Sequence, residues 1–512
     1  MVTKLSSIGL FGLSGYIVDV EVDITSGMPS FDIVGLPDAA VKESKDRVRA
    51  AIKNCGYSLP IRKILVNLAP ADIKKEGAVF DVPILLGVLK ASLLETLNFK
   101  DCIFCGELSL TGKVRAVRGV LPTAITAMES GFKKIFVPYE NANEAAIVEG
   151  IEVYPIRHIN DIILHLKNEV PIPVHIRNEE KIEEEKYKST LDFIDVCGQD
   201  FAKRAIEIAA AGGHNILFVG SPGSGKSMIA KRIPTILPDM TVSEQIETTK
   251  IHSIAGTLDN TEGLISERPF RSPHHTISRI GLAGGGRVAS PGELSLAHNG
   301  VLFLDELAEF PKNILEVLRQ PLEDGTVTIA RATGTITFPC EIMLVGAMNP
   351  CRCGYHGHPT KECTCSANSV REYSSKISGP LLDRFDLQIS VPPVLYEELR
   401  GKGNSSSKEI KERVQRARAI QQKRFEDKPF KCNARMDSQT SKKHCMITNI
   451  GEEFLKDAFD RFQMTARAYE KVLRIARTIA DLDGAENIQV FHLAEAVQYR
   501  DLDKGLNKKN SF

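Results

Sequence analysis

One eight-residue string, Gly220-Ser-Pro-Gly-Ser-Gly-Lys226-Ser227, constrains this chain more than any other. It fits G-x-x-x-x-G-K-[ST], follows the apolar run Ile216 to Val219 and precedes the helix-like MIAKRI. A phosphate-binding loop needs that strand–loop–helix setting. Gly220, Gly223 and Gly225, with Ser221, Pro222 and Ser224 between them, let backbone N–H groups turn inward around phosphate. The helix start adds favourable partial charge. Lys226 is expected to reach the β- and γ-phosphates of ATP, and the Ser227 hydroxyl to ligate Mg²⁺. The competing reading is a chance glycine-rich turn.

A second motif opposes that alternative. Val301-Leu-Phe-Leu-Asp305-Glu306 is four apolar residues ending in two carboxylates. A buried parallel strand would deliver both acids beside the phosphate loop. Asp305 then holds Mg²⁺ and Glu306 activates the attacking water, so the pair argues for hydrolysis rather than binding alone. A third strand, Cys340 to Ala347, leads to Asn349, which could sense the γ-phosphate. Further on, GPLLDRFDL carries Arg384, which a neighbouring subunit could present to the nucleotide in trans.

With 512 residues, the chain has room for about three domains. Its 43% hydrophobic and 25% charged content excludes a collagen-like or wholly disordered chain. No apolar run approaches the roughly 18 residues of a membrane helix; the longest, VPILLGVLKASLL from Val82, is broken by Gly87, Lys90 and Ser92. The N-terminal apolar stretch runs into VDVEVD, a half-buried strand rather than an export signal, so a cytoplasmic location is expected. Residues 1–167 mix strands (VDVEVD, KILVNLA) with a helix over VKESKDRVRAAIKNC, whose Val41, Val48, Ala51 and Ile52 share one side. A charged linker follows at 168–190. Residues 191–395 alternate strand and helix, which implies a parallel sheet. A second linker spans 396–408, and 409–512 reads as mainly helical.

Together these strings resemble the magnesium-chelatase-like branch of AAA+ ATPases: the phosphate loop, VLFLDE, AMNPC and SGPLLDRFD. FDIVGLPDAAVKESKDRVRAAI, VNLAPAD, RPFRSPHHTIS, PGELSLAHNGVLFLDEL and ARAYEKVLRIARTIADL are similar to the ComM/YifB family within it. The resemblance implies an α/β multidomain chain: a Lon-protease-like α+β N-terminal domain, an AAA+ P-loop α/β domain with a parallel sheet, and a C-terminal helical lid. It further implies a hexameric ring working on DNA, as a helicase in branch migration during recombination or natural transformation. In its terms Asn349 is sensor 1, Arg384 the arginine finger and Arg467 the sensor 2 arginine, with Arg474 an alternative seven residues later. The motor subunit of a metal chelatase is a second class. A Lon-like protease is a third, opposed by Val79 and Pro122 where the Ser–Lys dyad would stand.

The family resemblance also directs attention to RPFRSPHHTISRIGLAGGGR, with four Arg, two His and no acid between Arg268 and Arg287. Its Arg271, Arg279 and Arg287, with Arg331 on a hairpin over TVTIARATGTITFP, are candidate contacts to DNA phosphates (single-stranded, forked or junction). Subunit contacts are the alternative. The stretch Glu409 to Arg424 places Ile410, Val414, Ala417 and Ile420 on one face amid six basic residues; a solvated basic face is favoured over external DNA binding. Charge is uneven. The chain carries 65 Lys+Arg and 65 Asp+Glu, yet residues 396–512 hold 24 against 18 and are +6, leaving the rest −6. That balance excludes a uniformly basic coat but not a local basic channel.

Finally, Cys351-Arg-Cys353 and Cys363-Thr-Cys365 place four of the eleven cysteines in fifteen residues after Asn349. Two C-x-C pairs can form a tetrahedral thiolate site for structural Zn²⁺, with His356 or His358 able to replace one cysteine. A loop of reduced, unliganded thiols is the alternative.

Overall fold

The computed structural model describes residues 2–94, 97–177, 191–258, 263–286, 289–331, 334–394 and 405–500. The chain divides into two compact units, one of residues 1–187 with 245–265 and one of 188–244 with 266–512.

The first unit is built on a mixed seven-stranded sheet. Its order is Ser30–Val34, Lys63–Ala69, Ser14–Thr25, Thr3–Phe11, Cys102–Phe104, Lys134–Pro138 and Glu152–Ile156. The Ser14–Thr25 strand runs antiparallel to both neighbours, and the last four strands are mutually parallel. Val18, Val20 and Val22 are fully buried while the acids between them face outward, the period of two expected from VDVEVD. Helix Ala39–Asn54 starts where the Asp38 carboxylate accepts the Val41 N–H at 2.8 Å. It buries Val41, Ser44, Val48, Ala51 and Ile52. The long apolar run forms the buried helix Asp81–Ser92, and a Cβ on its Gly87 would lie 2.6 Å from Val22 Cγ2. Glycine therefore allows this helix to lie close on the sheet. Among the described residues no helix is long and apolar enough to cross a membrane.

Residues 245–265 belong to this first unit, although the sequence places them inside the nucleotide-binding segment. The Ser253 hydroxyl donates to the Glu144 carboxylate, and the Gly119 N–H donates to Ser253 O at 3.2 Å. Glu144 also accepts from the Leu121 N–H at 2.7 Å and the Asn141 amide at 3.1 Å. Burial raises its pKa against those donors.

The second unit holds an all-parallel five-stranded sheet. The order is Phe270–Arg271, Val301–Leu304, Met343–Met348, Ile216–Val219 and Leu387–Ser390. The third expected strand thus runs from Met343 to Met348 rather than from Cys340 to Ala347. Helices cover both faces, so successive residues enter different cores. Ile216, Phe218, Val301, Phe303, Val345 and Ala347 face one cluster. Leu217, Leu302, Leu304, Leu344 and Met348 face the other.

The C-terminal helices complete the first of those two clusters, through Val414 and Ala417 of Ser407–Arg424 and Val472, Ile475 and Ile479 of Ala466–Leu482. They therefore share one apolar core with the sheet. Of the expected linker 396–408, positions up to 404 lie outside the described residues.

The basic helix Ser407–Arg424 departs from its expected solvated face. Lys411 pairs with Asp239 at 2.6 Å, Arg413 with Glu207, and Arg424 with Asp481 at 2.6 Å, while Arg418 donates to Ala210 O at 2.9 Å. Ile420 is 39% exposed, and Gln421 takes the buried place, its amide donating to Ala211 O at 3.1 Å.

Candidate nucleotide site

The phosphate loop links strand Ile216–Val219 to helix Lys226–Ala230. Gly223 and Gly225 adopt φ of 80° and 91°, conformations that side chains disfavour. Gly220 is required for a different reason: a Cβ there would lie 2.3 Å from Val391 O. The Lys226 ammonium donates to Gly220 O and Ser221 O, both at 2.8 Å, and lies 3.4 Å from Asn349 Oδ1. Burial lowers the Lys226 pKa, with Asp305 acting the other way.

Strand Val301–Leu304, separated from Ile216–Val219 by Met343–Met348 and parallel to both, brings the acids to the same end of the sheet. The Ser227 hydroxyl donates to Asp305 Oδ2 at 2.6 Å. These two oxygens are hard donors of the kind Mg²⁺ prefers. Glu306 follows at φ 51°, a left-handed conformation that costs a non-glycine residue roughly 1–2 kcal/mol. Its N–H is held by Asp305 Oδ1 at 2.9 Å, so the strand ends in a sharp turn that separates the two carboxylates. Lys226, Ser227, Asp305 and Asn349, far apart in the chain, thus share one end of the sheet.

The sequence reading missed His275. Its Nδ1 lies 3.6 Å from Glu306 Oε2, its ring lies 4.0 Å from the His274 ring at a tilt of 34°, and it meets Phe310 edge-on at 6.3 Å. The signal was present in RPFRSPHHTIS, whose SPHHTIS part follows the edge strand Phe270–Arg271 and so enters the site from the same sheet end.

The other candidate residues separate. Arg384 pairs with Glu323, and its side chain is 13% exposed. Arg467 is exposed in the first turn of helix Ala466–Leu482, which the Thr465 hydroxyl caps by accepting the Ala468 N–H. Arg474 on the same helix donates to Ala434 O and pairs with Glu470. Lys471 connects this helix to the Arg384 segment: its ammonium lies 3.0 Å from Asp386 Oδ1 and donates to Phe385 O at 3.2 Å. Against the cost of burial, Lys471 and His214 hold the Asp386 carboxyl far below the usual carboxylate range.

Arg271 is clasped by Glu293 through two 2.6 Å hydrogen bonds, so its guanidinium is engaged within the fold. Arg279 is exposed at the start of helix Arg279–Ala283. Arg287 lies outside the described residues. Arg331 ends the hairpin strand Thr326–Arg331, paired in register with Gly334, and donates to Gly286 O. The hairpin and the basic insertion therefore meet. Thr333 of the same string also lies outside the described residues.

The sulfurs of Cys351, Cys353, Cys363 and Cys365 all fall within 4.8 Å of one another, a set able to hold a metal ion. The Tyr355 backbone N–H lowers the Cys353 thiol pKa to about 5. His358 is used otherwise, its Nδ1 accepting the N–H groups of Thr360 and Lys361 at 3.1 and 3.0 Å.

Comparison with known proteins accounts for nearly the whole chain. The family described as magnesium chelatase, subunit ChlI, matches residues 192–399. Related profiles, subunit ChlI of Mg-chelatase and its C-terminal part, match 20–141 and 404–500. Competence protein ComM of Haemophilus influenzae is 42% identical over 98% of this chain and 98% of its own length. The uncharacterized protein YifB of Escherichia coli is 40% identical over 96% of each. The chain belongs to the magnesium-chelatase-like ComM/YifB family. An uncharacterized Mycobacterium tuberculosis protein, 39% identical over 96% of this chain and 97% of its own, falls in the same group. The mixed α/β architecture, parallel sheet and C-terminal helices agree with the AAA+ fold that membership implies.

Proposed function

We propose that the chain is an ATP-hydrolysing, Mg²⁺-dependent DNA motor that works as a hexameric ring in the cytoplasm. One observation carries the hydrolytic part: the 2.6 Å contact of Ser227 with Asp305, with Glu306 next along the strand end and Lys226 beside them. Lys226 and the loop N–H groups grip the phosphates, Ser227 and Asp305 hold Mg²⁺, and Glu306 takes the proton of the attacking water while Asn349 aligns it. Arg384 of a neighbouring subunit leaves Glu323 to stabilise charge on the transferring phosphoryl group. Arg467 reports the nucleotide state to the C-terminal helices, and the Lys471–Asp386 pair ties that helix to the Arg384 segment. Arg279, Arg287 and Arg331 contact the DNA backbone without reading sequence. The competence name of the Haemophilus influenzae relative supports a role in handling incoming DNA. The N-terminal unit is read as a Lon-like domain without proteolytic chemistry, since Val79 and Pro122 supply neither nucleophile nor base.

The test is ATP turnover of the full chain with single-stranded, duplex and four-way-junction DNA, alongside particle imaging for rings. DNA should stimulate turnover, and Glu306→Gln should abolish it while nucleotide still binds. Persistent turnover in that variant overturns the mechanism. Stimulation by a porphyrin instead of DNA would move the chain to the chelatase class.

A further inference from the structure

The cysteine loop has geometry that bears on the phosphate loop. Cys351 Sγ lies 3.3 Å from Cys353 Sγ and 3.7 Å from Cys363 Sγ, and the latter two are 3.5 Å apart. Zinc–sulfur bonds of about 2.3 Å in a tetrahedron set sulfur–sulfur edges of about 3.8 Å. Disulfide sulfurs would be about 2.0 Å apart. Three edges fall close to that spacing and Cys365 Sγ lies within 4.8 Å of the other sulfurs, a set that can close into a tetrathiolate shell, whose four protein ligands leave no open position for chemistry at the metal.

The loop also presses on the nucleotide site. Gly354 stands between the first pair of thiols and the rest of the loop, at φ 85°, with its N–H bonded to Cys351 O at 3.0 Å. A Cβ there would lie 2.5 Å from Pro222 Cδ and 2.7 Å from Pro222 Cγ. The backbone of the thiol loop thus lies directly against the ring of the third phosphate-loop residue. Cys351, fully buried, follows Asn349 by two residues. Elsewhere the loop is tied by Lys361, whose ammonium sits 4.9 Å over the Tyr355 ring. Residues 351–365 contain two short turns and no helix or strand, so regular secondary structure contributes nothing to holding this position.

We infer that Cys351, Cys353, Cys363 and Cys365 bind one zinc ion, and that the metal-held loop is the wall that keeps Pro222 and Asn349 in place for nucleotide binding. The zinc assignment stands by itself; its effect on nucleotide rests on reading Gly220–Ser227 as the ATP site. Metal loss frees the loop, the Gly354–Pro222 contact relaxes, and the phosphate loop loses one side of its support.

Three variants of the full chain separate the parts: Cys363→Ser with Cys365→Ser, Gly354→Ala, and Gly357→Ala. Gly357 has a similar φ of 75° but nothing within 4 Å of a Cβ, so it carries the backbone strain without the collision. Zinc is counted by elemental mass spectrometry, affinity is read with a fluorescent ATP analogue, and circular dichroism follows the fold. The wild type and both glycine variants should hold one zinc per chain. The double cysteine variant should hold none and bind nucleotide at least tenfold more weakly with unchanged secondary structure. Gly354→Ala should weaken nucleotide binding similarly while keeping its zinc, and Gly357→Ala should bind as wild type. No zinc in the wild type, with no uptake of added Zn²⁺, overturns the metal site, as does iron in its place. Wild-type affinity in Gly354→Ala, or equal losses in the two glycine variants, overturns the wall. A wild type that holds zinc and binds no nucleotide refutes the ATP site, and with it the wall, while leaving the metal site established.

Discussion

Replacing Lys471 with methionine would leave Asp386 buried without its main counter-ion. Both side chains are 14% exposed and 3.0 Å apart. Removing one partner of a buried pair costs about 3–5 kcal/mol, because the remaining charge stays desolvated. Asp386 keeps the Asn215 N–H at 3.0 Å and His214 at 3.7 Å, so the lower end, about 3 kcal/mol, is expected. At 1.4 kcal/mol per tenfold, this corresponds to roughly 150-fold faster amide exchange wherever exchange proceeds through opening of that region. Hydrogen-exchange mass spectrometry of strand Leu387–Ser390 and helix Ala466–Leu482 reads it directly. Strand Ser14–Thr25, in the other compact unit, serves as the internal reference. Adding Asp386→Asn removes the orphaned charge and should restore most of the protection, a coupling that a double-mutant cycle quantifies. Acceleration below about fivefold, or equal acceleration in the reference strand, would refute the idea that this pair anchors the Arg384 segment.

Three further outcomes concern His275, the arginines of the insertion, and the response of Asp386 to pH. His275→Ala should lower kcat for ATP about tenfold by releasing Glu306, with KM little changed; a KM effect alone would assign His275 to binding instead. Arg279→Ala should weaken DNA binding and reduce its salt dependence by about one unit of slope, whereas Arg271→Ala should leave that slope unchanged and lower the thermal midpoint, since Arg271 is held by Glu293. Asp386 has a depressed folded pKa, so its stabilisation is complete above the unfolded value of about 3.9 and disappears as pH falls through the folded one. Urea midpoints should therefore drop below about pH 4 in the wild type and do so less in Asp386→Asn.

The phosphate loop and the VLFLDE strand were legible because their chemistry is local: the glycines, the lysine and the apolar strand sit within a few residues of one another. The alternation of VDVEVD and the apolar side of Ala39–Asn54 were legible for the same reason, since both periods are set by backbone geometry. What lay beyond reach was pairing across long separations. Whether a basic residue faces solvent, DNA or an acid depends on which acid the fold brings to it. Arg413 meets Glu207, 206 residues away, and Lys411 meets Asp239 at a separation of 172. The same blindness hid His275, whose partner Glu306 is in a different strand segment, and concealed the assignment of residues 245–265 to the first unit.

These pairings change what the charge balance means. The +6 of residues 396–512 looked like a surplus available to an anionic partner. Of the seven basic side chains on helix Ser407–Arg424, Lys411, Arg413 and Arg424 are joined to acids and Arg418 to a carbonyl, all within the second unit. Each pair spends its field on its partner, so the tail's net charge overstates the attraction it offers to DNA. The insertion from Arg268 is reduced in the same way. Its acid-free sequence loses Arg268 to Glu244 and Arg271 to Glu293, yet leaves Arg279 exposed. Lys408, Arg416 and Lys423 of the helix and Arg279 of the insertion remain exposed, and the salt dependence of DNA binding in Arg279→Ala against Arg416→Ala decides which of the two surfaces a phosphate backbone meets.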